Sequence, residues 1–216
     1  MYSYHLATGS CDVTMILFLP YRSSSNCRSV SRTSCHRFCN PKSSRIKNLD
    51  VAFYRNGDLI PKVTDAAAWA ALTTGAYCYH NNDSATYAAT YGKLYNWYVL
   101  NDIRGLAPAG WHLPNAGELQ SLTLCTTGGA VKQAGNTTWA SPNTGATNET
   151  GFTALPGGSR NPQATFFDIG FFGSFWIPNE FNSTNGNFFL LSYNNSLLQA
   201  LNYPKNNGLS VRCIKD

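Results

Sequence analysis

The chain has 216 residues, enough for one domain of ordinary size or a domain with a tail, and enough to bury a core without a metal or disulfide. Charged residues are only 12% and aromatics reach 13%, which excludes a coiled coil; no long apolar run exists, which excludes a multi-pass membrane protein. The formal charge of +5 is concentrated: residues 1–50 carry seven basic and two acidic side chains, and residues 51–216 carry nine of each. The body therefore has no electrostatic reason to seek nucleic acid.

Residues 1–46 read as a separate basic segment of unknown role. Cys11, Cys27, Cys35 and Cys39 lie there among Ser and Arg, at a spacing that fits no common zinc pattern. The apolar run at residues 13–19 is too short to span a bilayer, and no Lys or Arg precedes it as a secretory signal requires. This composition predicts a poorly ordered tail, with no evident signal peptide.

From residue 47 the texture changes to short segments punctuated by Gly and Asn. Residues 65–72 (DAAAWAAL) predict a helix capped by Thr64. Residues 94–100 (LYNWYVL) predict a buried strand. A second helix is predicted after Pro114, where Asn115 and Glu118 match a capping box ahead of Leu119, Leu122 and Leu124. Residues 151–208 hold many turn formers around Phe166, Phe167, Phe171, Phe172, Phe175 and Trp176. Residues 209–213 alternate apolar and polar, as a half-buried strand requires. The expectation is an α+β domain over residues 47–216, with two helices, short twisted antiparallel strands and a loop-rich C-terminal half.

Four motifs carry a resemblance. They are Tyr91-Gly92-x-Leu94-Tyr95-Asn96-Trp97-Tyr98; Arg104-Gly105-Leu106-Ala107-Pro108-x-Gly110-Trp111-His112-x-Pro114; Asn148-Glu149-Thr150-Gly151-Phe152-x-Ala154-Leu155-Pro156-Gly157-Gly158; and Ser210-Val211-Arg212-Cys213. In this order and spacing the chain resembles the Fibrobacter succinogenes major paralogous domain over about residues 47–216. The resemblance implies an extracytoplasmic protein, at the cell surface or secreted. It also implies a fold related to C-type lectin-like and formylglycine-generating-enzyme-like domains, with a ligand surface on the C-terminal half. In lectin-like domains diversified by retroelements that half holds the variable positions, and residues 161–207 look like such a segment. Two departures stand out. Ser43-Ser44-Arg45-Ile46 replaces an opening strand with a Trp-Met pair. Phe175-Trp176-Ile177-Pro178-Asn179-Glu180 replaces a paired Trp and a Ser-Ser-Thr-Glu run, and Pro178 fixes φ and removes a donor there.

The functional expectation follows from that resemblance and from nine Asn between residues 179 and 207 interleaved with aromatics. Asn both donates and accepts, and Tyr or Phe offers flat area at low entropic cost, which suits protein or glycan binding without net charge. The contact candidates are Asn182, Asn185, Tyr193, Asn194, Asn195, Asn202, Tyr203 and Asn206, with Phe171, Phe172 and Phe181 as weaker ones. Trp97, Trp111, Phe152 and Trp176 are assigned to the core, and His112 to a structural turn. The bland alternative is an Asn-rich loop region whose phenylalanines serve the core.

No catalytic residue and no cofactor is expected. Pro178-Asn179-Glu180 is similar to the sugar-coordinating Pro-Asn pair of calcium-dependent lectins, but no acidic residue precedes Pro178 and no Trp-Asn-Asp element accompanies it. Calcium is therefore an unfavoured alternative, and no metal ligand is assigned. An enzyme of the formylglycine-generating fold would need two neighbouring redox cysteines, whereas only Cys213 lies in the C-terminal half. That enzyme and a structural surface module without ligand are the rival readings. Cys78, in a family-like Ala76-Tyr77-Cys78-Tyr79 segment, and Cys213, ending the terminal strand, are the candidate disulfide. Partners are a protein or glycan ligand, with no nucleic acid and no transmembrane segment; oligomeric state is left open.

Overall fold

A computed structural model describes residues 47–216 apart from 116, 119–121 and 123–125. The basic segment 1–46, most of the second expected helix and Cys125 lie outside the described residues. The described part is α+β, with few short helices and small antiparallel sheets. Helix α1 spans Ala66–Ala70 and buries Trp69. Its cap is Asp65 rather than Thr64: Asp65 Oδ1 accepts from the Ala68 N–H at 2.8 Å, while the Thr64 carbonyl receives the Arg160 guanidinium at 2.9 Å. Helix α2, Ser84–Tyr91, was not anticipated. It buries no side chain, so it has no apolar stripe to read. Its marks are the cap Asp83, which accepts from Thr86 N–H at 3.0 Å, and Gly92 at φ +68°. The capping box after Pro114 forms as expected, with Asn115 and Glu118 exchanging side-chain bonds to each other's N–H at 3.0 Å. Helix α3 is a single turn, Gly128–Val131.

Strands β1 (Tyr77–Cys78) and β2 (Leu94–Tyr95) pair antiparallel. The aromatic run at residues 94–100 is thus a strand for two residues only, then a 3-10 turn over Trp97–Val99. Strand β3 (Trp111–His112) pairs with β9 (Ile214–Lys215), and β4 (Ser159–Arg160) with β5 (Phe166–Phe167). Strands β6 (Phe172–Glu180), β7 (Asn185–Ser192) and β8 (Leu198–Pro204) form a three-stranded meander. Pro178 falls where β6 and β7 shift register, between Trp176 and Glu180, as its missing donor requires.

Residues 208–210 bridge three separate strands: Gly208 with Arg160, Leu209 with Tyr95, and Ser210 with Phe175. The expected half-buried strand at residues 209–213 is instead buried throughout. Its polar side chains are satisfied inside: Asn48 Nδ2 donates to Ser210 Oγ at 3.1 Å, and the Arg212 guanidinium donates to the carbonyls of Phe152 and Thr153.

The sheet of β6 and β7 lies between two apolar clusters. Phe188 and Trp176 face one, with Tyr95, Trp97 and Val211; Phe189 and Phe175 face the other, with Trp139 and Phe152. A third cluster gathers Trp69, Ala76, Cys78 and Leu94. This arrangement excludes the expected Cys78–Cys213 disulfide. Cys78 and its partner Leu94 point into the third cluster, while Tyr95 points to the first, where Cys213 lies. Both cysteines are buried thiols, and burial pushes Cys78 up to about 12.

Among the described residues, five Lys and Arg side chains are also buried, each over an aromatic ring: Lys93, Lys132, Arg160, Lys205 and Arg212. Lys132 donates to the carbonyls of Thr144, Ser192 and Asn195 at 3.0, 2.9 and 3.0 Å. Arg160 donates to those of Val63 and Thr64 at 2.8 and 2.9 Å. Buried loops expose carbonyls that no ladder satisfies, and these cations supply the missing donors.

His112 does structural work of a definite kind. Its Nδ1 lies 2.7 Å from Asp216 Oδ1 and its Nε2 3.0 Å from Glu118 Oε1, which ties β3 to the capped turn and to the end of β9. Burial opposes the charged ring, but the two carboxylates outweigh it and hold His112 above its ordinary pKa. A folded pKa raised above the unfolded one gives stability that is full below about pH 6.5 and lost as pH rises through the folded value. Urea unfolding of wild type and His112→Asn should show a stability gap at about pH 6 that narrows by about pH 9. A gap that widened with pH would refute the pairing.

Candidate functional site

The predicted contact residues fall on the three-stranded sheet but not in one place. Strand β7 runs seven steps from Asn185 to Ser192, roughly 24 Å. At the end near the β6–β7 turn lie Phe181, Asn182, Asn185, Asn202 and Tyr203. At the other end lie Phe171, Phe172, Tyr193, Asn194 and Asn195. Asn206 is apart from both, donating to the carbonyl of Ala70, the last residue of α1, at 3.1 Å.

Much of the Asn hydrogen-bonding capacity is used within the fold. Asn182 Oδ1 accepts from the N–H groups of Thr184 and Asn185 at 2.9 and 2.8 Å and so closes the β6–β7 turn. Asn195 Oδ1 accepts from Leu197 N–H at 2.9 Å, and Asn194 Oδ1 from Ser192 Oγ at 2.7 Å. Asn185 Nδ2 donates to Asn202 Oδ1 at 2.8 Å, across β7 and β8. These residues shape turns and register first.

The aromatics are more available. Phe181 is 58% exposed and Tyr203 39% exposed, with Tyr203 stacked on buried Phe188 at 4.3 Å between ring centroids. Phe171 is also exposed and meets the half-buried Tyr193 edge-on at 5.2 Å; Phe172 is half-buried. Of the side chains assigned to the core, Trp97, Phe152 and Trp176 are buried and Trp111 is half-buried. Leu201, 41% exposed on the same face as Tyr203, belongs to the surface although sequence reading passed over it. The signal that could have found it is absence of charge: residues 181–204 contain no Asp, Glu, Lys or Arg.

A firm base holds the Phe181–Tyr203 end. Lys205 Nζ donates to Glu180 Oε1 at 2.5 Å and to the Ser183 carbonyl at 3.0 Å, and lies 4.7 Å over the Trp97 ring. Trp97 Nε1 donates to the Ile177 carbonyl at 2.9 Å, freed by the shift around Pro178. Gly186 lets strand β7 pass directly over that indole: a Cβ at this position would lie 2.1 Å from Trp97 Cδ1 and 2.4 Å from Nε1.

Among the described residues no cluster of His, Cys, Asp and Glu is arranged to hold a metal ion, and no helix is long and apolar enough to cross a membrane. The model of the Fibrobacter succinogenes major domain matches residues 46–215. The chain belongs to that family. The Fibrobacter succinogenes major domain thus covers every element of the fold, from the residues before Asn48 to β9. No curated protein and no solved structure matches the chain.

Proposed function

We propose that this Fibrobacter succinogenes major domain is a non-enzymatic ligand-binding module, lectin-like in fold and displayed outside the cytoplasm. It holds a protein or glycan against the Phe181–Tyr203 end of its three-stranded sheet. One observation carries the reading: exposed Phe181, Leu201 and Tyr203 stand over a base held by Lys205 and Trp97, within 24 successive residues that bear no charge. Large aromatic area with little ordering cost and no charge to desolvate is what an adaptable recognition surface needs. The surface location and the idea that a retroelement diversifies the C-terminal half rest on the family resemblance. Fold alone fixes no ligand, so the surface has to be tested as a surface.

Binding to glycan and surface-protein arrays provides the test. The Phe181→Ala/Tyr203→Ala variant should lose at least about ten-fold in affinity for whatever wild type captures. Its melting temperature should move by no more than about 2–4 °C, as for exposed side chains. Unchanged capture, or a collapse of stability, would remove these side chains from any binding role.

A further inference from the structure

Strand β8 is the outer strand of its sheet, and the direction of its peptide groups follows from its neighbours. Trp176 N–H donates to the Ser210 carbonyl at 3.0 Å, and Ser210 N–H to the Ser174 carbonyl at 3.1 Å. Ser174 and Trp176 therefore turn their peptide groups away from β7. Successive residues alternate in an antiparallel ladder, so Gly173 and Phe175 bond to β7 through Leu191 and Phe189. Phe188 and Leu190 then face β8 and bond to Leu201 and Gln199. Leu198, Ala200 and Asn202 are left with N–H and C=O directed outward, and among the described residues no backbone group bonds to them.

Protein edges of this kind are normally blunted by a Lys, a bulge or an interior Pro. Strand β8 has no charged residue, pairs with β7 without a register shift, and carries Pro204 only at its end. We propose that β8 pairs with β8 of a second copy of this chain, antiparallel about a two-fold axis at Leu201, to build a continuous six-stranded sheet. A second copy's β8 matches this edge in length, register and lack of charge. Leu198, Ala200 and Asn202 are the outward residues, and a two-fold through Leu201 sets Ala200 of each copy opposite Asn202 of the other, both in hydrogen-bonding orientation, with Leu198 opposite Pro204. Leu201 then stands across from Leu201, and Gln199 across from Tyr203, with matched faces on the same side. No charge between residues 181 and 204 opposes the approach, and residues 51–216 carry equal numbers of acidic and basic groups. Because the axis is normal to the sheet, both Tyr203 rings face the same side, and the pair presents the proposed surface twice. The association itself does not depend on that surface having a ligand.

Sedimentation velocity of the full chain across concentrations, with amide hydrogen exchange, tests the pairing. A monomer–dimer equilibrium is expected, with the Ala200 and Asn202 amides gaining protection as concentration rises. Ala200→Pro removes an outward donor that the protomer does not use, and should weaken association at least about ten-fold while dilute protein melts as wild type does. Ala200→Val keeps the donor and should keep the dimer. A chain that stays monomeric to about 1 mM overturns the proposal. So does a dimer indifferent to Ala200→Pro, or one in which these two amides exchange at a rate independent of concentration. Should Ala200→Pro fail to fold, the exchange comparison on wild type decides alone.

Discussion

Lys132→Met is expected to destabilise the domain by about 3 kcal/mol, lowering its melting temperature by roughly 9 °C. The ammonium donates three hydrogen bonds to the carbonyls of Thr144, Ser192 and Asn195, over the Trp139 ring. Hydrogen bonds to a charged group contribute roughly 1.5–3 kcal/mol each, and the Ser192 carbonyl stays buried without a donor when the lysine goes. Against this stands the cost of keeping an ammonium out of water, several kcal/mol, which the variant recovers. Burial lowers the Lys132 pKa to about 8, while three carbonyl dipoles favour the charged form; on either ground the group is protonated at neutral pH. The carbonyls win because they cannot be replaced along with the lysine. Chemical denaturation measures the loss, and hydrogen exchange should quicken at residues 192–197, where two of the three carbonyls lie. A variant as stable as wild type would mean that the desolvation cost cancels the bonds.

Gly186→Ala is the second large effect, at about 3 kcal/mol from one added methyl. The new Cβ comes within 2.1 Å of the Trp97 indole, which is buried, bonded to the Ile177 carbonyl and covered by Lys205. The ring has no open side to move toward, so strand β7 has to lift. Gly186 pairs with Tyr203 on β8 and Glu180 on β6, and the displacement reaches the Phe181–Tyr203 end. Loss of ligand capture should therefore accompany loss of stability, unlike the exposed Phe181→Ala/Tyr203→Ala change. Trimming the indole with Trp97→Leu should make the two substitutions together less costly than their separate effects predict. Strict additivity would place the damage elsewhere.

The residues show why the sequence was legible in places. Asn115 and Glu118 speak locally, three positions apart, and their reciprocal caps form as read. Thr64 and Asp65 are both good caps, and the choice between them depends on Arg160, nearly a hundred residues away. Helix α2 hides because none of its side chains is buried, leaving only Asp83 and Gly92 as marks. Ser210 and Arg212 look like the wet side of a strand, yet distant partners take them inside. The candidate surface was visible as a composition of Asn and aromatics. Its division between two ends of a sheet was not, since that depends on hairpin register. Nor was the employment of Asn182, Asn194 and Asn195 in their own turns, which competes with any outward role.

Residues 208–213 carry a consequence for the order in which the domain comes into being. A ribosome releases the chain from its amino end, so β2, β4 and β6 all emerge before the segment that joins them. Until residue 213 is free, Tyr95, Arg160 and Phe175 have no common partner, and the clusters they border lack Leu209, Val211, Cys213 and Ile214. Acquisition of structure is therefore expected to follow synthesis of this domain rather than accompany it, with long-range contacts setting a slow pace.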